Sequence, residues 1–303
     1  MFKFQATQLV HHIGGVEFGG QPGRRRTVMI GSLFYPRHSL VHDRVSGAVD
    51  ERKLAMVLRD MDNARMATGT PAALMVYAET PQAMRSHVEL LSGITRLPLF
   101  IDSPSWRVRI EGIVVADDMG ISDRVVYNTI SAGTGLEEVS AMREVGVRNA
   151  VALAFHPADL GVKGKIYLLE DGGGLLPSGL IALAKEAGVK NLLLDMAVLS
   201  SQQNAGSALR ALMVAKSKWG LPCGCALHNA VESYPPLERL SDAKIYRNVD
   251  TAACTMPILA GADFVMFGPA EAARRAMYAA AFADEMMEQA VADLHYNGDR
   301  SEH

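Results

Sequence analysis

Eight short apolar runs constrain the fold of this chain more than any other feature of its sequence. The runs span residues 27–33, 72–78, 97–102, 124–130, 149–155, 191–197, 221–227 and 263–267. Each is nearly continuous in Val, Leu, Ile, Ala or Met, a composition typical of strands that are buried on both faces. The runs therefore predict the strands of a parallel sheet rather than strands with one face in water.

Stretches with helical spacing lie between these runs. They span residues 51–68, 81–92, 135–146, 178–188 and 204–220, and the last three end at a glycine suited to a left-handed helix end. Eight strands alternating with helices predict an α/β protein, a closed (β/α)8 TIM barrel formed by one domain over residues 1–303. A doubly wound open sheet is the alternative, but the first run continues into Phe34-Tyr-Pro-Arg-His38 instead of a glycine-rich phosphate loop.

The two ends of the chain flank this barrel. Residues 10–18 read as a strand, a Gly-Gly turn and a second strand, which predicts a β-hairpin within residues 1–26. We expect this hairpin to plug the amino-terminal end of the barrel. The polar residues 297–303 are expected to form a frayed tail.

Composition excludes several classes of function. The formal net charge is −3, and no basic run occurs beyond Arg24-Arg25-Arg26, so a nucleic-acid partner is not expected. The three cysteines are too few, and odd in number, for a disulfide framework, and they suit a reducing compartment. No stretch resembles a signal peptide or is apolar enough to span a bilayer, so we expect a cytoplasmic protein without stable membrane insertion.

Four polar side chains stand at the carboxyl ends of apolar runs. Asp102, Asn128, Asp195 and Asn229 stand at the ends of the third, fourth, sixth and seventh runs. Because the active site of such a barrel lies at the carboxyl ends of its strands, we expect these side chains to converge on one mouth. Each of them alone could instead cap a helix or close a turn.

Two carboxylates and two amides suit a flat heterocycle rich in N–H groups. They can accept hydrogen bonds from its edge and donate to its ring acceptors, whereas phosphate needs cations or free N–H groups. A reduced pterin fits, because its 2-amino group and N3–H form a fork that a carboxylate can accept as a bidentate pair. The sequence thus favours a pterin over a phosphate ligand.

Three further side chains are candidates for the same site. Ser103 follows Asp102, His228 precedes Asn229, and Glu79 follows the second run. Glu79 could be a general acid, although a cap for the helix that begins at Pro81 is the simpler interpretation.

Two other sequence features have less specific interpretations. Cys223-Gly-Cys225 with His228 is reminiscent of zinc ligands, but no fourth ligand is evident, so buried cysteines and no bound metal are expected. Residues 168–174, which end in three glycines, are predicted to form a mobile loop after the fifth strand.

Several short segments together carry a family resemblance. They are Met-Phe-Lys-Phe (1–4), Gly-Gly-Gln-Pro-Gly (19–23), Phe-Tyr (34–35), Phe-Ile-Asp-Ser (100–103), Tyr-Asn (127–128), Val-Ala-Leu-Ala-Phe (151–155), Leu-Glu-Asp-Gly-Gly-Gly (169–174), His-Asn-Ala (228–230) and Ala-Gly-Ala-Asp-Phe (260–264). With them the chain resembles the H subunit of tetrahydromethanopterin S-methyltransferase and its bacterial relatives. These belong with the methyltetrahydrofolate:corrinoid methyltransferases.

The resemblance implies a homodimeric pterin-binding barrel that works with a separate corrinoid (cobalamin-carrying) protein. It assigns the pterin ring to Asp102, Asn128 and Asp195, and a mobile amide near the methyl-bearing nitrogen N5 to Asn229. Bacterial relatives in glycine betaine and methylamine demethylation use tetrahydrofolate and are the preferred comparison. Tetrahydromethanopterin is the alternative pterin, and a non-catalytic subunit that docks the corrinoid protein is an alternative role. A zinc-dependent thiol methyltransferase is a further alternative.

The residue types also bear on the direction of methyl transfer. Removing a methyl group from N5 of a tetrahydropterin requires a proton at N5, because a tertiary amine is a poor leaving group. Transfer from methyl-cobalt(III) to N5 requires no acid. The strand ends offer no evident acid of tuned pKa, so the sequence favours direct transfer to tetrahydrofolate, with Asn229 and Asp195 as catalytic residues.

Overall fold

The computed structural model describes residues 2–240, 242–292 and 294. The tail expected at residues 297–303 lies outside these residues. The chain begins with an antiparallel hairpin of β1 (Val10–Ile13) and β2 (Val16–Gly19). No helix in the described ranges combines the length and the apolar character needed to cross a membrane.

The remaining elements alternate between strands and helices. In chain order they are β3 (Val28–Leu33), a ribbon of β4 (Val41–Asp43) and β5 (Ala48–Val49), α1 (Glu51–Thr68), β6 (Ala72–Tyr77), α2 (Pro81–Ile94), β7 (Leu99–Asp102), α3 (Trp106–Asp118), β8 (Val125–Ile130), α4 (Leu136–Glu144), β9 (Asn149–Leu153), α5 (Val162–Glu170), α6 (Leu180–Glu186), β10 (Asn191–Asp195), α7 (Ser207–Trp219), β11 (Cys223–Cys225), α8 (His228–Glu232), α9 (Pro235–Glu238), α10 (Ala243–Leu259), β12 (Phe264–Pro269) and α11 (Ala273–Val291).

Eight parallel strands close into a barrel. Their order is β3, β6, β7, β8, β9, β10, β11 and β12, and β12 pairs with β3 to complete the ring. This confirms the predicted (β/α)8 barrel; seven predicted runs each contain one of its strands, and the eighth overlaps β12, which continues to Pro269. The glycines after α4, α6 and α7 have the left-handed φ values of 71°, 87° and 65° that end these helices.

The segment after the fifth barrel strand differs from its prediction. Residues 168–170 belong to helix α5 and are not part of a mobile loop; the loop begins only at Asp171. The helix forms because Ile166, Leu168 and Leu169 bury an apolar face against the barrel, which outweighs the glycines that follow. Helices α3, α10 and α11 also form where the sequence patterns above indicated none.

An inner apolar layer fills the barrel. Its side chains are Val28, Ile30, Ala73, Phe100, Val126, Val151, Leu193, Phe264 and Met266, together with Ile13 and Phe18 of the hairpin. The ring centroid of Phe18 lies 6.1 Å from that of Phe100 and 6.4 Å from that of Phe264. The hairpin therefore plugs the amino-terminal end of the barrel, as predicted.

This layer determines which side chains enter the opposite mouth. Side chains alternate between the two faces of a strand, so the residue two positions after an inner-layer residue also points inward. Asp102 follows Phe100 by two positions, and Asp195 follows Leu193 by two. Asn128 stands in the same relation to Val126, so all three polar side chains lie directly above the apolar layer.

Candidate functional site

Asp102 and Asn128 occupy neighbouring strands at the same level of the mouth. Their Cα atoms are partners in the β7–β8 pairing, and Asn128 Nδ2 donates a hydrogen bond to Asp102 Oδ1 at 3.2 Å. Asn128 is buried and Asp102 is half-buried. The register of the parallel strands therefore brings together two of the four predicted side chains.

Asp195 is the most enclosed of the predicted carboxyl groups. Its Oδ1 accepts a hydrogen bond from the N–H of Ala197 at 3.0 Å. Its Oδ2 has no hydrogen bond within the described residues. This oxygen is not completely shielded from solvent. Burial raises the pKa of Asp195 to about 7, although the Ala197 N–H and the nearby Lys165 act in the opposite direction.

Asp102 also has a raised pKa. Burial raises it to about 6, against the opposing effects of Arg109, the Asn128 amide and the Ser103 N–H. The site thus contains two carboxyl groups that can hold a proton near neutral pH. The sequence had indicated no acid of tuned pKa, and the structure contradicts that expectation. The expectation failed because a sequence does not show how deeply a strand-end side chain is buried.

A buried ion pair supports the Asp102 side of the mouth. Arg109 of α3 donates to the Ser103 carbonyl and to Glu138 of α4, with 2.8 Å between Nη2 and Oε1 of Glu138. The Tyr127 hydroxyl donates to the same Glu138 oxygen at 2.6 Å. Ser103 itself is buried, and its hydroxyl accepts from the N–H of Ser105, so that it closes the turn before α3. Ser103 therefore has a clear structural role next to the site.

Asn229 lies beyond the end of its strand. Strand β11 ends at Cys225, and the chain turns into α8 because the Ala226 carbonyl accepts from the N–H of Asn229. The position predicted at a strand end is therefore on a short helix. The Asn229 Nδ2 donates to the Val198 carbonyl at 2.8 Å, which ties this amide to the loop that follows Asp195.

His228 has both ring nitrogens occupied by carboxylates. Nδ1 lies 2.6 Å from Asp250 Oδ1, and Nε2 lies 3.2 Å from Glu232 Oε1. Burial alone would lower the pKa of His228, but its hydrogen bonds to these two carboxylates outweigh that effect and raise it to about 9. A pterin contact by His228, as the sequence suggested, would have to displace Glu232.

Glu79 neither caps a helix nor lies deep in the mouth. Its exposed carboxylate pairs with Arg44, 2.6 Å from Nη1. The cap of α2 is Thr80, whose hydroxyl accepts from the N–H of Ala83 at 3.0 Å, so the predicted cap was wrong by one residue. A threonine hydroxyl next to the first helical turn has the shorter reach that this bond requires.

The two cysteines of β11 lie on the outer face of their strand. Cys223 and Cys225 are fully buried in the core between the barrel and its helices. Burial raises the pKa of both thiols. Within the described residues, no group of three or more His, Cys, Asp or Glu side chains is arranged to hold a metal ion.

Two polar residues near the mouth escaped the sequence patterns. Tyr77 ends β6, and its Cα pairs with that of Asp102; burial, with Glu79 and Asp102, raises its pKa. Lys165 of α5 is buried beneath the end of β10. Counting every second residue along the strand from the inner layer would have identified Tyr77. Lys165 could have been identified as a lone lysine on the apolar face of a helix.

Solved structures with the same fold are dihydropteroate synthases. The chain resembles the Yersinia pestis enzyme bound to a pterin–sulfa conjugate, with 13% identity, coverage of 92% of this chain and 98% of that one, and a TM-score of 0.62. The Thermus thermophilus enzyme in complex with 4-aminobenzoate gives 16% identity, coverage of 91% and 99%, and a TM-score of 0.58. At these identities the similarity shows the fold alone, a TIM barrel.

The sequence comparison identifies the family within that fold. Residues 6–297 match the family model described as tetrahydromethanopterin S-methyltransferase MtrH subunit. In Methanothermobacter thermautotrophicus, the H subunit of that enzyme is 36% identical over 296 residues, 97% of this chain and 96% of the relative. The H subunit of the putative mtx methyltransferase of Methanosarcina mazei is 33% identical with the same coverage. The chain belongs to the MtrH family, and it is a methyltransferase.

Proposed function

We propose that this protein transfers a methyl group between N5 of a reduced pterin and a corrinoid carried by a partner protein. The observation that carries the proposal is the pair of enclosed carboxyl groups, Asp102 and Asp195, beside the Asn128 amide and above the apolar layer. A planar ring with an N–H fork matches this combination of a flat apolar floor and polar walls.

The choice of pterin follows the family. Relatives named for tetrahydromethanopterin span nearly the whole chain, which supports that pterin over the tetrahydrofolate suggested by the bacterial resemblance. We therefore propose tetrahydromethanopterin as the methyl-carrying substrate and keep tetrahydrofolate as the second pterin to be tested. A homodimer, and a separate corrinoid protein as its partner, complete the proposal.

The side chains divide the work of recognition. A free carboxylate oxygen of Asp195 can accept from the 2-amino and N3–H fork, while Asn128 and Asp102 can donate to and accept from the remaining ring edge. Asn229 is assigned to N5 by the family resemblance, and its amide donates to the Val198 carbonyl in the loop that follows Asp195. The roles of these residues are positional, and no protein nucleophile is required.

The raised pKa values allow transfer in both directions. The corrinoid supplies the cobalt that donates or accepts the methyl group. When the methyl group leaves N5, the N–C bond breaks and its electron pair stays on nitrogen, which must carry or receive a proton. Asp102, with a pKa of about 6, can hold that proton near neutral pH, while Asp195 serves the N–H fork. The preference for transfer toward the pterin therefore loses its basis.

A spectroscopic assay tests the proposal. The protein is mixed with methylcobalamin and with either tetrahydromethanopterin or tetrahydrofolate, and loss of the methyl–cobalt absorbance is followed. We expect turnover with tetrahydromethanopterin, and a large loss of turnover in Asp195→Asn. The exposed Asp62→Asn change on α1 is the matched control and should leave turnover intact. If neither pterin removes the methyl group, a corrinoid-docking role without catalysis is supported instead.

A further inference from the structure

Lys165 is a buried cation beneath the proposed pterin site. It lies on the apolar face of α5, with only 4% of its surface exposed, between residues that pack against the barrel. Lys163, on the same helix, is exposed. Burying a lysine in an apolar layer is unfavourable unless other groups compensate its charge, so its position requires a reason.

The ammonium group binds the carbonyls that follow two neighbouring strands. Nζ donates to the Ala197 carbonyl after β10 at 2.7 Å and approaches the Ala154 carbonyl after β9 at 3.5 Å. No carboxylate lies within ion-pair distance of Nζ among the described side chains. The positive charge is therefore not neutralised by direct contact, and its field acts on the Asp195 carboxyl group.

One residue links the lysine to this aspartate. Ala197 donates its N–H to Asp195 Oδ1 at 3.0 Å and accepts from Lys165 Nζ through its carbonyl. Its φ of 30° lies in the left-handed region that alanine rarely adopts. Because charged side chains hold both polar groups of Ala197, the loop after β10 fixes the orientation of Asp195.

We infer that Lys165 is the positioning residue and counter-charge of Asp195, favouring the ionised form of this carboxyl group and orienting it for the N–H edge of the pterin. The inference rests on the proposed function and adds a positioning residue to that site. It also explains how a carboxyl group so deep in the barrel can present a charged oxygen to a ligand.

Few other ionisable groups act on Asp195. The Cys225 thiol, on the outer face of β11, interacts electrostatically with Asp195 and with the Cys254 thiol of α10. Burial raises the pKa of both thiols, so they carry no charge at neutral pH. Lys165 is the cation that opposes the effect of burial on Asp195. Removing its charge should therefore raise the pKa of Asp195.

The test compares Lys165→Met and Lys165→Gln with the wild type in pterin titrations from pH 5 to pH 9. Glutamine keeps a hydrogen-bond donor, so the two variants separate charge from hydrogen bonding. We expect the pH midpoint of pterin binding to rise by about one unit in both, which is about fivefold weaker binding at pH 7, with recovery near pH 9. Lys163→Met is the control and should leave the profile unchanged.

A ligand-free measurement separates this inference from the proposed function. The carboxyl carbon of Asp195 can be titrated by NMR in ¹³C-aspartate-labelled protein, with Asp195→Asn used to assign the resonance. An upward shift of its titration midpoint in either Lys165 variant supports the coupling, even if no pterin binds. An unchanged midpoint, or binding weakened equally at every pH, overturns the inference. Unchanged pterin affinity in Asp195→Asn overturns the proposed function instead.

Discussion

Two buried lysine–aspartate arrangements occupy opposite ends of this barrel. At the amino-terminal end, Lys216 of α7 lies 2.5 Å from Asp263 Oδ1 and also donates to the Gly20 carbonyl of the hairpin segment. The other oxygen of Asp263 accepts from the Cys223 N–H. Both carboxylate oxygens therefore have partners within the chain.

At the carboxyl-terminal end the corresponding arrangement is open. Lys165 reaches Asp195 only through the Ala197 peptide, and Asp195 Oδ2 has no hydrogen bond among the described residues. Burial raises the pKa of Asp263 as well as that of Asp195, so a perturbed pKa does not distinguish the two ends. The geometry does: a satisfied carboxylate stabilises the fold, and one with a free oxygen is available to a ligand.

The largest expected effect is on the satisfied pair. Asp263→Ala leaves Lys216 buried without its partner and should lower the free energy of unfolding by about 3–5 kcal/mol. Asp195→Ala removes no direct ion pair, and it should lower the free energy of unfolding far less. Urea denaturation of both variants measures this contrast, and equal losses would remove the distinction between the two ends.

A change of opposite sign is expected for Asp195→Asn. The folded-state pKa of about 7 lies above the ordinary value of 3.8, so the stability contributed by this group is full below pH 3.8 and is lost as the pH rises through 7. At pH 8 the asparagine variant avoids that loss and should be about 1–2 kcal/mol more stable than the wild type.

Denaturation at two pH values checks this sign. The gain in stability of Asp195→Asn should disappear near pH 4, where the wild-type carboxyl group is protonated in the folded state. If the difference in free energy of unfolding between variant and wild type is the same at pH 4 and pH 8, burial does not raise the pKa of Asp195.

The affinity of the wild type for pterin should depend on pH. If a carboxylate accepts from the N–H fork, binding should strengthen by about tenfold between pH 6 and pH 8, as Asp195 loses its proton. In Asp195→Asn the remaining pH dependence should move toward pH 6, where Asp102 titrates. Fluorescence titrations across this range measure the profile, and a flat profile contradicts recognition by an ionised aspartate.

The smallest expected effect concerns Asn229. Its amide donates one hydrogen bond to the Val198 carbonyl, so Asn229→Ala removes a hydrogen bond that contributes about 1 kcal/mol to stability. We expect the methyl-transfer rate to fall by about fivefold, with a smaller change in pterin affinity. Single-turnover kinetics separates the two quantities, and an affinity loss larger than the rate loss would place Asn229 on the ring instead of at N5.

The sequence predicted the barrel and the convergence of three strand-end side chains on its mouth. Strands buried on both faces need continuous apolar composition, and strand alternation then places Asp102, Asn128 and Asp195 above the inner layer. The hairpin was predictable because its Gly-Gly turn joins two strand-like segments. These are local or periodic properties of the chain.

Features that depend on tertiary contacts escaped prediction. The early turn after Cys225, which places Asn229 on a helix, depends on hydrogen bonds formed only in the folded chain. The depth of burial that raises the pKa of Asp102 and Asp195 cannot be predicted from the sequence. Lys165 lies just before the segment predicted as a loop, where no helix was predicted, and only the packing of α5 shows that it is enclosed.

Calorimetric titration of tetrahydromethanopterin at pH 8 tests the central claim most directly. The wild type and the exposed control Asp62→Asn should bind the pterin with equal affinity. Asp102→Asn and Asp195→Asn should each bind at least about tenfold more weakly, because each loses a charge-assisted hydrogen bond worth about 1.5–3 kcal/mol. Wild-type affinity in both aspartate variants would contradict a pterin site at these strand ends.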